Sequence, residues 1–263
     1  MQGANSRRVL SYASRGLGLC AAVALALTLL CDTGRAQMAA SKSEGGWNEL
    51  FNGRDFTGWR ALSKDGKHDW RVAGKVTPKP DDDKLFAIEP GLGLFVNGDA
   101  GRTANLATER THGDCELHIE FVVPKGSNLG VYLMGHYEIQ VLDSWGVTEL
   151  KYSDCGGIYC QWINNAAVGG TAPRVNTSKA PGEWQSFDVI FRAPRFDAKG
   201  NKIKNAVFEK VVHNGVLIHE NVEVGGPTRA AMPGAERAEG PLMLQGDHGP
   251  VAYRNVRMRA LSS

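Results

Sequence analysis

The chain has 263 residues, of which 42% are hydrophobic and 22% are charged, and it contains 32 glycines and 11 prolines. This length suits one large β-domain or two small ones, and the glycine and proline counts fit many tight turns. The formal net charge of +2 is too small to indicate a surface that binds nucleic acid.

The first 36 residues have the features of a signal peptide. Three arginines precede an apolar run, Gly16–Cys31, and small residues follow at Gly34 and Ala36. The run is shorter than the roughly 20 residues that a membrane-spanning helix needs. We therefore expect cleavage after Ala36 and export to the periplasm or the medium, with no membrane attachment afterwards.

A short polar linker, residues 37–45, separates this signal from the rest of the chain. Removing residues 1–36 takes away four arginines and Asp32, which leaves 26 basic and 27 acidic residues. The exported chain is therefore close to neutral, and nucleic acid is not an expected partner.

Beyond Trp47, segments of alternating polar and apolar residues are separated by Gly, Pro, Asn and Asp, a pattern that predicts strands. The predicted strands are Glu116–Val123, Leu129–Leu133, Tyr137–Leu142, Gly157–Trp162, Trp184–Arg192, Ala206–His213, Val216–Val224, Leu242–Gln245 and Val251–Ala260. No amphipathic helix of three turns, internal repeat or second linker is visible. We predict one all-β domain over residues 46–263, built as a two-sheet antiparallel β-sandwich.

Two turns fix the pairing of these strands. Asn214-Gly215 is a strong hairpin signal, because both central residues of a type I′ turn need positive φ, and the flanking His213 and His219 are expected at the surface. The turn at Met134-Gly135 can hold two or three residues. Only a three-residue turn pairs Leu133 with Tyr137, which separates an apolar face from a polar face that carries Tyr132, Glu138 and Gln140.

The stretch HYEIQVLDSWG places Glu138, Gln140 and Asp143 in the order E-x-Q-x-x-D. This order resembles the E-x-D-x-x-E signature of laminarinase-type retaining glucanases, which need two carboxyl groups about 5–5.5 Å apart. In this chain Gln140 replaces the middle aspartate of the signature, and Asp143 replaces the last glutamate with a shorter side chain. Both differences disfavour double displacement. Asp143 can reach the polar face only if the strand ends or bulges there. The alternative is a turn residue, because Asp-Ser-Trp-Gly favours turns.

A second polar cluster, Gln245–Gly249 (QGDHG), follows a predicted strand. A histidine between glycines at a strand end, as His248 is between Gly246 and Gly249, is exposed and suits proton transfer. His248 is therefore a candidate catalytic residue. Its alternative is an ordinary loop histidine. Sugar sites also use aromatic platforms beside polar groups. Further candidates for substrate binding are therefore Tyr132, Trp145, Tyr159, Gln161 and Gln245.

Three cysteines follow the signal: Cys115, Cys155 and Cys160. Export permits a disulfide, but Cys155 and Cys160 would lie about 16 Å apart on an extended strand, which is too far for a bridge. Either Cys115 pairs with one of them, or all three are buried free thiols.

Seven blocks along the chain together resemble one known family, the 3-keto-disaccharide hydrolase domain, also called 3-keto-glucoside 1,2-lyase/3-keto-2-hydroxy-glucal hydratase. The blocks are WNELFNGRDFTGW, NLATERTHGDCELHIEF, SNLGVYLMGHYEIQVLDSWG, CGGIYCQ, GEWQSFDVIFRAPRFD, HNGVLIHENVEV and GPLMLQGDHGPVAYRNVRMR. Cys115 and Cys160 depart from the family pattern, which has an aromatic and a small residue there. The resemblance implies a concanavalin A-like jelly roll in an exported bacterial protein.

The resemblance also implies a reaction on 3-keto-glucosides. A base removes the C2 proton, the C1–O bond breaks by elimination, and water adds to the 2-hydroxy-glucal. Glu138 or His248 is the expected base, with Asp143 as a further catalytic candidate. Gln140 and Gln245 are expected to orient hydroxyl groups, and an upstream glycoside 3-oxidoreductase is the implied pathway partner. A divalent metal ion held by Glu138, Asp143 and His248 is a possible cofactor that would stabilise the enolate.

Two other functions remain open. One is a carbohydrate-binding, lectin-like module, which has the same polar sheet face but no turnover. The other is the laminarinase-type retaining glycosidase.

Overall fold

The computed structural model of the protein describes residues 46–261, so the predicted signal peptide and linker lie outside the described residues. Within this range the chain forms seventeen strands and no α-helix, and hence no helix able to cross a membrane. The strands are, in chain order, β1 (Asn48–Glu49), β2 (Trp59–Ala61), β3 (Arg71–Pro78), β4 (Phe86–Val96), β5 (Leu106–His112), β6 (Cys115–Val122), β7 (Asn128–Leu133), β8 (Tyr137–Leu142), β9 (Gln161–Ile163), β10 (Ala166–Val168), β11 (Gln185–Arg192), β12 (Arg195–Phe196), β13 (Lys202–Lys204), β14 (Ala206–His213), β15 (Val216–Val224), β16 (Gly240–Leu244) and β17 (Ala252–Ala260).

Two antiparallel sheets hold most of these strands. The larger sheet runs β15-β14-β11-β6-β17-β4-β3, with β1 paired to β17, and the smaller sheet runs β2-β5-β16-β7-β8. The pairs β9-β10 and β12-β13 are separate hairpins. The predicted fold, an all-β two-sheet antiparallel sandwich of the concanavalin A-like type, is confirmed.

The hydrophobic core follows from the two-residue period of the strands. On β11, Phe187, Val189 and Phe191 are buried, while the residues between them are partly exposed. The facing strands of the smaller sheet contribute Val131 and Ile139 to the same cluster. Burying a side chain of this size contributes about 1.5–3 kcal/mol to folding. The core therefore fixes which face of each strand points away from it.

The β7–β8 hairpin has the predicted three-residue turn. Leu133 pairs with Tyr137, and Met134 and Gly135 have φ angles of 54° and 69°. The apolar side chains of both strands join the core, so Tyr132, Glu138 and Gln140 lie on the opposite face of the smaller sheet. The predicted register is confirmed.

The β14–β15 hairpin also has its predicted turn, since Asn214 and Gly215 both have positive φ. The prediction of surface histidines beside it was wrong, because His213 and His219 are each 1% exposed. His213 Nε2 lies 3.0 Å from Gln185 Oε1, and His219 Nε2 donates to the Gly156 carbonyl at 2.8 Å. These contacts replace water, and burial lowers the pKa of His213 to about 4.

The predicted strand Gly157–Trp162 was wrong. Residues 156–159 run beside β8 through irregular hydrogen bonds, including Tyr159 N to Glu138 O at 3.1 Å. Only Gln161–Ile163 form a strand, in the β9–β10 hairpin. The positive φ of Gly156 breaks the extended conformation at the start of the segment. Strands β3 to β5 were not predicted; in β4, Pro90, Gly91 and Gly93 interrupt the alternating pattern.

The sequence left open whether Cys115 forms a disulfide or all three cysteines are buried free thiols, and the structure has the free thiols. Cys115, Cys155 and Cys160 are free and buried. Burial raises the pKa of Cys155 to about 12, so this thiol is held in its unreactive protonated form.

Candidate active site

A cavity of about 270 Å³ opens on the face of the smaller sheet that points away from the core. Strands β7 and β8 supply one side of it, and the segments after β8, β15 and β16 supply the rest. Its lining residues are Asn128, Tyr132, Glu138, Gln140, Tyr159, Arg229, Ala230, Gln245 and His248. Almost every lining residue carries a group that can donate or accept a hydrogen bond.

Glu138 is the one carboxylate among these nine residues. Its side chain is 3% exposed, and this burial raises the pKa of Glu138 to about 8, against the opposing effect of a hydrogen bond from Tyr132. Burial and the nearby Glu138 in turn raise the pKa of Tyr132, so its hydroxyl remains a donor. The hydroxyl also lies 3.3 Å from the carbonyl oxygen of Arg229. The site thus holds a carboxyl group that can exchange a proton near neutral pH.

Gly130 makes room for this carboxyl group. It pairs with Gln140 across the hairpin, and a Cβ at position 130 would overlap Glu138 Oε1 and lie 2.7 Å from a ring carbon of Tyr132. The reason for glycine here is space rather than an unusual φ angle. The place of the Glu138 side chain therefore depends on a residue that makes no polar contact with it.

In the reaction on 3-keto-glucosides that the resemblance implies, we expect Gly130→Ala to lower the turnover number about 100-fold. The added methyl group would displace the Glu138 carboxyl group, and a displacement of about 1 Å at a reacting group can cost that much. Overpacking is also expected to cost about 1–3 kcal/mol of stability. Gly225→Ala is the matched control, since a Cβ there has its nearest contact at 3.4 Å. Steady-state rates and thermal unfolding of both variants test this; wild-type turnover in folded Gly130→Ala would contradict it.

His248 lies at the rim of the cavity with half of its side chain exposed. Its Nδ1 is 2.6 Å from Asp247 Oδ1 and 3.0 Å from Gln245 Nε2. The shorter contact favours a proton on Nδ1 that is donated to Asp247, because a carboxylate is the stronger acceptor. Nε2 then remains free to exchange a proton with a bound molecule.

The loop that carries His248 is held firmly by its neighbours. Asn97 is fully buried and donates to the carbonyls of Gly246 and Gly249 at 3.0 and 2.7 Å, while its own oxygen accepts from Val251 N. Gly101 packs so closely on Gly249 that any Cβ would overlap its backbone. This loop thus places His248 rigidly, as a proton-transfer group requires.

Three side-chain amides, those of Asn128, Gln140 and Gln245, line the side of the cavity near β7. Gln140 donates from Nε2 to Asn128 Oδ1, which fixes the orientation of its amide group and leaves its oxygen available. Gln245 joins this side through its backbone, since its N–H donates to the Gly130 carbonyl at 3.0 Å. These amides suit the recognition of hydroxyl groups.

The loop of residues 226–232 contributes Arg229 and Ala230 to the cavity lining. Thr228 is buried and fastens this loop to β8: its hydroxyl donates to His136 O and accepts from Glu138 N, at 3.0 and 3.2 Å. The tip contains Ala230 with φ of +62°, a conformation that costs energy for a residue with a Cβ. Arg229 lies beside it, and its guanidinium carbon is 4.1 Å from the centre of the Trp162 ring.

The structure brings six of the nine predicted site residues together and leaves three outside the cavity. Asp143 is a turn residue, the alternative given above: its carboxylate accepts from the backbone N–H groups of Gly126 and Trp145, at 2.9 and 3.3 Å. Trp145 follows it and is 61% exposed. The Gln161 amide lies beside Gly226 and is not part of the cavity lining.

The predicted metal ligands Glu138, Asp143 and His248 are therefore not gathered at one point, because the Asp143 carboxylate is used in its own turn. In the described part of the chain, no group of three or more His, Cys, Asp or Glu side chains is arranged to hold a metal ion. The residues present do not fit the metal site expected from the resemblance.

Three lining residues were not predicted: Asn128, Arg229 and Ala230. Asn128 is recoverable from the sequence, because a strand begun one residue earlier places it on the same face as Gly130 and Tyr132. Arg229 and Ala230 lie in a loop with no periodicity, so no local signal marks them.

A concanavalin A-like sandwich with a cavity of one acid, several amides, an imidazole and aromatic rings defines a carbohydrate-active protein. The chain belongs to the family of the 3-keto-alpha-glucoside-1,2-lyase-like domain, whose sequence profile matches residues 46–259. No curated protein matches the chain.

Two solved structures resemble this chain. A protein from Parabacteroides distasonis ATCC 8503, described as a "putative glycosyl hydrolase", shares 26% identity with a TM-score of 0.61, over 82% of this chain and 84% of that one. A second protein of the same description and organism shares 18% identity with a TM-score of 0.54, over 82% and 94% of the two chains, and supports the fold alone.

Proposed function

We propose that this protein cleaves 3-keto-glucosides by elimination and subsequent hydration. The observation that carries the proposal is Glu138, a single buried carboxyl group with a pKa of about 8 in a polar cavity. A base is most effective when its pKa lies near the working pH, so this environment suits proton abstraction.

Glu138 is proposed as the base that removes the proton from C2. The ketone at C3 makes that proton acidic, because the electron pair of the C2–H bond moves onto the C3 oxygen. The pair then forms the C1–C2 double bond as the C1–O bond breaks and the leaving oxygen takes a proton. Water adds its oxygen to C1 and a proton to C2, so the net reaction is hydrolysis.

His248 is proposed as the acid that protonates the leaving oxygen. Its Nδ1 contact with Asp247 holds the ring, and Nε2 carries the transferred proton. Gln140, Gln245 and Arg229 offer hydrogen-bond donors for the sugar hydroxyls and for the negative charge that develops on the C3 oxygen, while Tyr132 donates its hydroxyl hydrogen to Glu138. Tyr159 supplies a ring beside them.

A retaining glycosidase is disfavoured by the same cavity. Double displacement needs two carboxyl groups about 5–5.5 Å apart, and Glu138 is the one carboxylate among the nine lining residues. An elimination needs one base and one acid, which the lining residues supply.

The test is to run the reaction in heavy water with a 3-keto-glucoside and with the matching unoxidised glucoside. We expect turnover of the keto-sugar alone, deuterium at C2 of the released 3-keto-glucose, and a transient near-ultraviolet absorbance from the conjugated enone. Conditions are chosen in which free 3-keto-glucose does not itself exchange. Release of product with neither deuterium nor enone absorbance would indicate direct displacement at C1. Binding of plain glycans without turnover would indicate a lectin.

The chemistry also indicates where the substrate comes from. A 3-keto-glucoside must be produced by an oxidoreductase that acts on the glycoside C3 hydroxyl, so such an enzyme is the proposed pathway partner. We propose that both reactions take place outside the cytoplasm, in accord with the signal peptide expected from residues 1–36.

A further inference from the structure

The cavity is small for a substrate with two rings. Pockets that enclose drug-sized ligands are about 300–1,000 Å³, whereas this cavity is about 270 Å³. If the reacting 3-keto-glucosyl ring occupies it, the other half of the substrate must lie outside. The site therefore needs a further surface for the leaving group.

The β9–β10 hairpin is an exposed apolar element next to the cavity. It belongs to neither main sheet, and its turn residues Asn164 and Asn165 both have positive φ. Trp162, Ile163 and Val168 are all exposed on it. A two-stranded hairpin gains little stability on its own, so these exposed side chains are not explained by the stability of the hairpin. The register places Trp162 on one face of the hairpin with Ala167, and Ile163 and Val168 on the other face, so Trp162 is the exposed apolar side chain of its face.

The hairpin is joined to the cavity wall in two places. Tyr159 lines the cavity and lies two residues before the first strand of the hairpin. On the other side, the backbone N–H of Arg229 donates to Cys160 O at 2.8 Å, and its guanidinium lies 4.1 Å from the centre of the Trp162 ring. Arg229 itself lines the cavity, so the surface is continuous from the cavity to Trp162.

We propose that Trp162 and Arg229 form the subsite for the leaving group, and that this subsite takes a ring with a flat apolar face. The inference rests on the proposed function above. The contact with Arg229 orients the indole before substrate binds, and the side chain is still 46% exposed. Ala167 pairs with Trp162 across the hairpin, and its small side chain leaves the indole accessible. A ring stacked there continues the substrate out of the cavity.

The test compares two substrates in three variants. Methyl 3-keto-α-glucoside has a leaving group too small to reach Trp162, and phenyl 3-keto-α-glucoside has a flat ring. We expect Trp162→Ala to lower kcat/KM for the phenyl substrate about 3- to 10-fold, mainly through KM, with less than a twofold change for the methyl substrate. Trp162→Phe should restore most of the loss. Trp145→Ala is the matched control, because Trp145 is exposed but lies outside the cavity lining.

Equal effects of Trp162→Ala on both substrates, or none on either, would overturn the subsite while leaving the proposed reaction intact. If the wild-type protein turns over neither substrate, the proposed reaction fails and the subsite is judged by calorimetry instead. Phenyl and methyl α-glucosides are then titrated into the wild type and Trp162→Ala. Tighter binding of the phenyl glucoside, lost in Trp162→Ala, supports the subsite, and equal binding by both proteins overturns it.

Discussion

Glu138→Gln is expected to lower kcat on a 3-keto-glucoside about 10²- to 10⁴-fold, the usual contribution of a positioned general base. The amide keeps the size of the side chain and can still accept a hydrogen bond from Tyr132, but it cannot take a proton from C2. Substrate affinity should therefore change little. Single-turnover rates together with calorimetric titration of the substrate separate the two effects.

Glu89→Gln provides the control for this variant. Glu89 lies on β4 of the larger sheet, exposed and paired with Lys75, so its replacement should leave kcat unchanged. Full activity of Glu138→Gln would rule out Glu138 as the base and would leave His248 as the remaining candidate. An equal loss of binding and turnover would instead favour the lectin-like module.

The same substitution is expected to stabilise the protein at alkaline pH. Burial raises the pKa of Glu138 from 4.5 to about 8, so the folded state holds the proton more tightly than the unfolded state does. Stability is therefore lost as pH rises from about 4.5 to about 8. Each pKa unit corresponds to about 1.4 kcal/mol, so the full loss is on the order of 3–5 kcal/mol.

Glutamine carries no titrating proton, so Glu138→Gln should escape this loss. Its free energy of unfolding should match that of the wild type near pH 5 and exceed it by about 3–5 kcal/mol near pH 9. Urea unfolding of both proteins at the two pH values measures the difference, in which the other titrating groups cancel. A constant difference across this range would show that the Glu138 carboxyl group is not held in a raised-pKa environment.

The parts of the site that could be predicted from the sequence are those set by local patterns, namely strand alternation and turn length. The register of β7 and β8 follows from alternation and turn length, so it places Tyr132, Glu138 and Gln140 together correctly. Asp143 ends the same segment, but a carboxylate at a strand end can serve either a site or a turn. Only the tertiary structure shows that the N–H groups of Gly126 and Trp145 bind it.

The remaining parts of the cavity depend on contacts between distant segments. The Arg229 loop reaches β8 through Thr228, which lies 90 residues from Glu138 along the chain. The raised pKa of Glu138 likewise results from burial that several segments create together. Neither feature has a local sequence pattern, and so neither could be predicted from period or composition.

The turn of Met134, Gly135 and His136 also limits how this region can change in length. Side chains alternate along β8, so a slip of its pairing with β7 by one residue would exchange its two faces. Glu138 would then point into the core, where a carboxylate without a partner is strongly destabilising. Insertions or deletions at this turn are therefore tolerated only if the new loop still closes the Leu133–Tyr137 pair. By contrast, the Asn164–Asn165 tip belongs to neither main sheet, so a change in its length leaves the register that places Glu138 intact.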